Sequence, residues 1–206
     1  MLQRLVVAPG VFLWREKFSP LEQKHLLDEV MARLNQAPLY RPVMPKTGKP
    51  FSVEESNFGQ LGWVSDKSGY RYQPTHPLTG APWPDIPQPL LDLWTEINPG
   101  PGPQCCLVNF YRAGAKMGLH QDLDEKDQSA GVIGISLGDE ALFRIGASAR
   151  GGQTTSIRLA SGDVVVFGGV ARLAYHGIDR IKPGSSQLLP EGGRISLTLR
   201  RVAAQA

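Results

Sequence analysis

The pattern of apolar and polar positions changes once along this chain, near residue 104. Before that point the apolar residues recur at helical spacing, or fall between prolines; after it they alternate with a period of two. The apolar run at residues 11–14 follows Pro9-Gly10 and predicts an early strand. Ser19, Pro20 and Glu22 supply the N-cap, the N1 proline and the capping-box partner of a helix. Leu21, Leu26, Leu27, Val30, Met31 and Leu34 carry that helix to about Asn35 with one buried face. His25 falls on its polar side and reads as a surface histidine. Residues 38–62 hold no period, and 51–53 is at most a short strand. Six prolines between 74 and 89 make a stiff connector, ordered because Trp83 and Ile86 need burial; His76 lies in it without an evident partner. A second helix is predicted over 89–97 and is ended by Asn98-Pro99-Gly100-Pro101-Gly102-Pro103. That run marks the expected boundary between an N-terminal segment, 1–103, and a β domain, 104–206, the two forming one structural unit.

Beyond it the expected strands are 105–112, 119–122, 132–137, 141–145, 154–159, 164–167, 174–178 and 194–202. Strands 132–137 and 141–145 are expected to pair through Gly138-Asp139-Glu140, and 154–159 to form a hairpin with 164–167. Many short strands at regular spacing predict a mainly β protein with N-terminal helices, its strands closed into a barrel or double sheet of the jelly-roll, cupin-like kind.

Composition narrows this little. A chain of 206 residues with 41% hydrophobic and 20% charged residues can bury one sizeable core. A net charge of +3 permits a basic nucleic-acid-binding patch without demanding one. Cys105 and Cys106 are adjacent and read as apolar strand residues in a reducing compartment. No stretch is long enough for a membrane span, and the start lacks a secretory signal, so a cytoplasmic protein is expected.

The chemistry concentrates in His120-Gln121-Asp122. At positions i and i+2 of a strand the imidazole and the carboxylate share a face. His176 is the sole histidine downstream and the natural third ligand, and two histidines with one carboxylate suit a non-haem Fe(II) that activates oxygen. Arg194, 18 residues later, offers a forked cation for a carboxylate. Trp63, Tyr70 and Tyr72 stand in a segment with little apolar support. They either pack a small subdomain or form a stacking platform for a base. Asp124 either shares the face of Asp122 or is a surface acid in the run 122–127.

The pieces Leu61-Gly62-Trp63, Gly69-Tyr70-Arg71-Tyr72, Asn109-Phe110-Tyr111, His120-Gln121-Asp122-Leu123-Asp124, Tyr175-His176-Gly177-Ile178 and Arg194-Ile195-Ser196-Leu197-Thr198-Leu199-Arg200 occur in this order. In order and spacing, over about residues 50–202, the chain resembles the AlkB family of Fe(II)- and 2-oxoglutarate-dependent dioxygenases. The resemblance implies a double-stranded β-helix with an N-terminal nucleotide-recognition annex. It also implies oxidative removal of alkyl groups, such as those of 1-methyladenine and 3-methylcytosine, from DNA and RNA. O2 and 2-oxoglutarate would be consumed, and succinate, CO2 and formaldehyde released. On this resemblance the iron ligands and catalytic centre are His120, Asp122 and His176. The 2-oxoglutarate contacts are Asn109, Tyr111, Arg194, Ser196 and Arg200, with Ser196 standing where the family usually has Asn. The substrate contacts are Trp63, Tyr70, Tyr72, Asp124 and Arg150. A monomer acting on single- or double-stranded nucleic acid is expected. The rival readings are an Fe(II)/2-oxoglutarate hydroxylase of a protein or small molecule and a cupin-like binding module without catalysis.

Overall fold

The computed structural model describes residues 4–203. In chain order its elements are β1 (Arg4–Ala8), β2 (Val11–Trp14), α1 (Pro20–Leu34), β3 (Glu54–Phe58), β4 (Gly62–Asp66), β5 (Gly69–Gln73), α2 (Gln88–Ile97), β6 (Cys105–Tyr111), β7 (Met117–His120), β8 (Val132–Gly138), β9 (Glu140–Ile145), β10 (Thr155–Leu159), β11 (Val164–Phe167), β12 (His176–Lys182) and β13 (Arg194–Arg200). Seven strands form a large sheet in the order β1-β2-β11-β8-β13-β6-β3, and four form a smaller one, β10-β9-β12-β7. β4 and β5 make a separate hairpin. All pairings within these sheets are antiparallel, as a jelly-roll requires.

α1 starts as its sequence dictates. The Ser19 side chain accepts from the Glu22 backbone N–H, and the Glu22 carboxylate reaches back to the N-cap N–H. Its apolar stripe of Leu26, Leu27, Val30 and Leu34 packs with Leu90, Leu93 and Trp94 of α2 against one face of the large sheet. That face is made by every second residue of the central strands: Cys106, Val108 and Phe110 of β6, Ile133, Ile135 and Leu137 of β8, and Ile195, Leu197 and Leu199 of β13. The residues between them face the smaller sheet. This alternation sends Asn109 and Tyr111 and, on β13, Arg194, Ser196, Thr198 and Arg200 into the cavity between the sheets.

Several expectations are corrected. Residues 51–53 are not a strand; the strand lies one step on, in β3, whose polar sequence Glu-Glu-Ser-Asn hides it. Ser56 and Asn57 can be buried there because their side chains bond the Ala37 carbonyl at 2.7 Å and the Trp63 carbonyl at 3.0 Å. The strand expected at 119–122 ends at His120, so Asp122 lies on the loop beyond it. Nor do the expected hairpins form. β8 pairs with β11 and β13 while β9 pairs with β10 and β12, and β10 and β11 likewise lie in different sheets. Each connection therefore crosses from one sheet to the other. The first crossing is held by Asp139, whose carboxylate accepts from Gly193 N at 2.9 Å and Ser186 N at 3.1 Å. His76, read as partnerless, is buried and satisfied: Nε2 donates to Pro38 O at 2.8 Å while Nδ1 accepts from Leu78 N and Thr79 N.

One close approach fixes the relation of β12 to β7. A Cβ on Gly177 would lie 2.5 Å from Met117 O and 2.7 Å from Gly118 O, both backbone atoms that cannot swing aside. Gly177→Ala is expected to destabilise the protein by about 1–3 kcal/mol and to displace the adjacent His176. Thermal melting checks this; a wild-type midpoint would remove the packing argument.

Candidate functional site

The two histidines are far apart in sequence and adjacent in register. β12 runs antiparallel to β7 with His176 directly opposite His120, which brings the ring centroids to 4.5 Å. Each ring is oriented by a backbone carbonyl: His120 Nδ1 lies 3.0 Å from Gly118 O, and His176 Nδ1 lies 3.0 Å from Ala174 O. A carbonyl only accepts, so Nδ1 carries the proton on both rings. Both Nε2 atoms are left with a free lone pair, as a metal ligand needs. Burial, outweighing the pull of Asp122, drives His176 down to about 4, so it stays neutral.

Asp122 reaches the histidines from its loop. Its Oδ1 is 3.8 Å from His120 Nε2 and its Oδ2 is 3.8 Å from His176 Nε2. One donor atom from each of the three residues lies within 4.8 Å of the others. The loop is pinned from both sides. The amide of Gln121, the middle residue of the triplet, donates to Leu173 O at 2.6 Å and Ser148 O at 3.1 Å. Lys126 N donates to Val202 O at 2.8 Å, just past β13.

Behind Asp122 stands a cluster of charges that no motif announces. Arg200 Nη2 approaches Asp122 Oδ2 at 3.0 Å, off the line of a hydrogen bond, while its Nη1 bonds Glu125 Oε1 at 3.1 Å. Arg172 bonds the other Glu125 oxygen at 3.3 Å and the Asp122 backbone carbonyl at 3.2 Å. All four residues are buried, and two carboxylates balance two guanidiniums. Burial alone would lift the Asp122 carboxyl; Arg200 first, with Arg172 behind it, outweighs burial and holds the group below the usual carboxylate range. The Tyr72 hydroxyl donates to Glu125 Oε1 and accepts from Arg200 Nη1 at 3.3 Å, tying the β4–β5 hairpin to the same cluster.

Farther along the cavity Arg194 is 1% exposed and under-satisfied. Its Nη2 donates to Ser136 Oγ at 2.8 Å, but among the described residues Nε and Nη1 have no partner. Burial pulls the guanidinium down to about 10. A buried cation with two idle donors calls for an anion with paired oxygens. Asn109, Tyr111, Ser196 and Arg200 line the same cavity, and Asn109 Oδ1 is also buried without a partner among the described residues.

Of the five expected substrate contacts, Trp63 and Tyr70 stack on one another, centroids 5.5 Å apart and planes 18° from parallel. Asp124 is exposed, and its Oδ2 accepts from Trp63 Nε1 at 2.7 Å. Tyr72 belongs with the buried cluster. Arg150 stands apart, exposed on a groove with Leu119, Thr154 and Tyr175. Sequence reasoning missed Glu125, Arg172, Asn57 and Glu55. Asn57 clamps both backbone groups of Trp63, its Nδ2 to Trp63 O and its Oδ1 from Trp63 N, each at 3.0 Å.

Comparison with known proteins agrees with this geometry. A family model described as the 2OG-Fe(II) oxygenase superfamily matches residues 6–200. An alpha-ketoglutarate-dependent dioxygenase AlkB homolog of Caulobacter vibrioides is 54% identical over 200 residues, which cover 96% of this chain and 90% of that one. The alpha-ketoglutarate-dependent dioxygenase AlkB of Escherichia coli K12 is 38% identical, over 97% of this chain and 93% of its own. The solved structure of OsALKBH1 superposes with a TM-score of 0.80 at 30% identity, covering 96% of this chain and all of that one.

Glu55 makes a stability prediction. It is buried, and its Oε2 has no hydrogen bond among the described residues. Burial, only partly offset by Arg200, lifts it to about 8. The unfolded chain therefore ionises this group near 4.5 while the native state holds its proton up to about 8. The native state binds more protons across that window, so stability falls as pH rises through it. Glu55→Gln is expected to be more stable than wild type at pH 7, by on the order of 1–3 kcal/mol, the gap vanishing below pH about 4.5. Urea midpoints at the two pH values check this; a gap independent of pH would contradict it.

Proposed function

The chain belongs to the 2OG-Fe(II) oxygenase superfamily, and from that premise we propose that it is an AlkB-type dioxygenase that removes alkyl groups oxidatively from nucleic-acid bases. Its cofactor is Fe(II), and its co-substrates are 2-oxoglutarate and O2. The single observation that carries the reading is one cavity lined by His120 and His176, which cluster with Asp122, and by buried Arg194 with its idle donors.

The residues fit the metal. Two neutral imidazoles present free Nε2 atoms, and Asp122 Oδ2 is buried without an aligned hydrogen bond. In this proposal His120, Asp122 and His176 hold the iron and leave it open positions for the co-substrates. Bound iron, with 2-oxoglutarate and O2, supplies an oxidation that turns the keto acid into succinate and CO2 and hydroxylates a base N-methyl group, which leaves as formaldehyde. Arg194 takes the distal carboxylate of 2-oxoglutarate with its unpaired Nε and Nη1, assisted by Asn109 and Tyr111. Arg200 and Ser196 serve the end nearer the metal, where the shorter Ser leaves more room than Asn would.

A base within a duplex cannot enter such a cavity, so it arrives single-stranded or flipped out. Trp63 and Tyr70 give it an aromatic face at the rim, worth roughly 1–3 kcal/mol per stacked base. Asp124 holds the Trp63 indole in place, and Tyr72 ties the hairpin to the metal end. Arg150 is assigned to the nucleic-acid backbone on the neighbouring groove. We assign residues 1–103 to nucleotide recognition and 104–206 to the catalytic core of one structural unit. The working form is a monomer in the cytoplasm acting on single- or double-stranded DNA and on RNA.

The test is anaerobic loading with Fe(II) and 2-oxoglutarate, then air and a single-stranded oligonucleotide carrying one 1-methyladenine. Formaldehyde equal to succinate is expected; succinate without formaldehyde would favour a hydroxylase of another substrate. Arg194→Ala is expected to raise the 2-oxoglutarate requirement by about 10- to 100-fold, the worth of one or two charge-assisted hydrogen bonds, with the iron requirement little changed. Equal loss of both would contradict the assignment of Arg194.

A further inference from the structure

The cavity face of the large sheet carries a polar row that runs across four strands. Ser136 of β8 pairs with Ser196 of β13, Ser196 pairs with Asn109 of β6, and Asn109 pairs with Glu55 of β3. Residues paired in register point to the same side of a sheet. Ser136 bonds Arg194, while Asn109 and Ser196 line the cavity. Glu55 is the last member of the row, on the edge strand. Two residues before it, just ahead of β3, is Val53, in one apolar cluster with Tyr111, and two residues after it on β3 is Asn57, which clamps Trp63. Glu55 therefore stands between the residues assigned to 2-oxoglutarate and the root of the aromatic rim.

It also has no occupation of its own. Among the carboxylates around the site, Asp122 belongs to the metal cluster, Asp124 is taken by the Trp63 indole, and Glu125 is saturated by Tyr72, Arg172 and Arg200. Glu54, its neighbour, points the other way to Arg41 and Arg112. Glu55 is 1% exposed, and its Oε2 is buried with no hydrogen bond among the described residues. Leaving a buried carboxyl unpaired is costly, and a site keeps such a group when a ligand completes it.

We propose that Glu55 is a specificity-determining residue that faces the alkylated base, accepts an N–H from its edge and favours bases carrying positive charge. The proposal rests on the demethylase reading above. Its chemical basis is simple. Methylation of a ring nitrogen that offered only a lone pair, N1 of adenine or N3 of cytosine, leaves the base cationic, with its exocyclic amine still a donor. Methylation of a ring N–H, as at N3 of thymine, leaves a neutral base with a carbonyl in the amine's place. A carboxyl that lies close to neutrality, lifted to about 8 by burial, gives up its proton readily when such a cation docks beside it. The resulting pair is charge-assisted, and the neutral base forms none.

The experiment compares kcat/KM on two single-stranded oligonucleotides, identical but for one 3-methylcytosine or one 3-methylthymine, for wild type, Glu55→Gln and Glu55→Met. Gln keeps the size and the hydrogen-bonding capacity without the charge, and Met keeps only the volume. The preference of wild type for 3-methylcytosine is expected to fall by about tenfold in both variants, the worth of one charge-assisted hydrogen bond, through slower turnover of the cationic base. An unchanged ratio, or a parallel fall on both oligonucleotides, would overturn the role of Glu55 and leave the demethylase reading standing. Formaldehyde from neither oligonucleotide with wild type would overturn both.

Discussion

The structure depends on a buried, self-neutralising set of charges: Asp122 and Glu125 against Arg200 and Arg172. A carboxylate offered to a divalent cation has to be ionised, and burial works against ionisation. Arg200 solves this at 3.0 Å from Asp122, but a guanidinium in the interior needs its own counter-charge, and Glu125 supplies it. Glu125 then takes Arg172 as a second partner, and Arg172 reaches back to the Asp122 carbonyl. Removing one member of such a set leaves a buried charge uncompensated, at a cost of about 3–5 kcal/mol. The four residues come from the loop after β7, the turn before β12 and the end of β13, so this set also joins the pieces of the site. Through Tyr72 it extends to the hairpin that carries Trp63 and Tyr70.

The second constraint is the period of two. β13 reads Arg-Ile-Ser-Leu-Thr-Leu-Arg, and its apolar half meets the helices while its polar half faces the cavity. β6 does the same with Asn109 and Tyr111 inward. A slip of one residue would send Arg194 into the helix-packed core and Leu197 into the cavity. The same alternation therefore sets both the fold and the polar lining of the cavity proposed for the co-substrate. The pairing of His120 with His176 is set differently, by register between β7 and β12 that no local pattern specifies.

Much of this was legible in the chain. The helix beginning at Ser19 followed from its capping box, and the inward row of β13 from strict alternation. His120 and Asp122 do come together as expected, but not along one strand, because the strand stops at His120 and a pinned loop carries Asp122 in. The hairpins were misjudged because a Gly-rich turn looks alike whether the next strand pairs with the last one or crosses to the opposite sheet. β3 was missed because Glu-Glu-Ser-Asn looks solvated; its partners lie in the Ala37 turn and the Trp63 hairpin. Glu125 and Arg172 were hidden for the same reason: a charged residue shows no sign in sequence that its partner is buried with it.

The account makes the buried charge set the support of the metal site, and one titration tests that most directly. Fe(II) is titrated anaerobically into wild type and Glu125→Gln, a change that keeps shape and removes one negative charge. The set then carries a net positive charge beside the metal, and Fe(II) affinity is expected to fall by at least about tenfold, as for an uncompensated charge at short range. Wild-type affinity in Glu125→Gln would contradict the account, leaving the His120–Asp122–His176 cluster independent of the charges behind it.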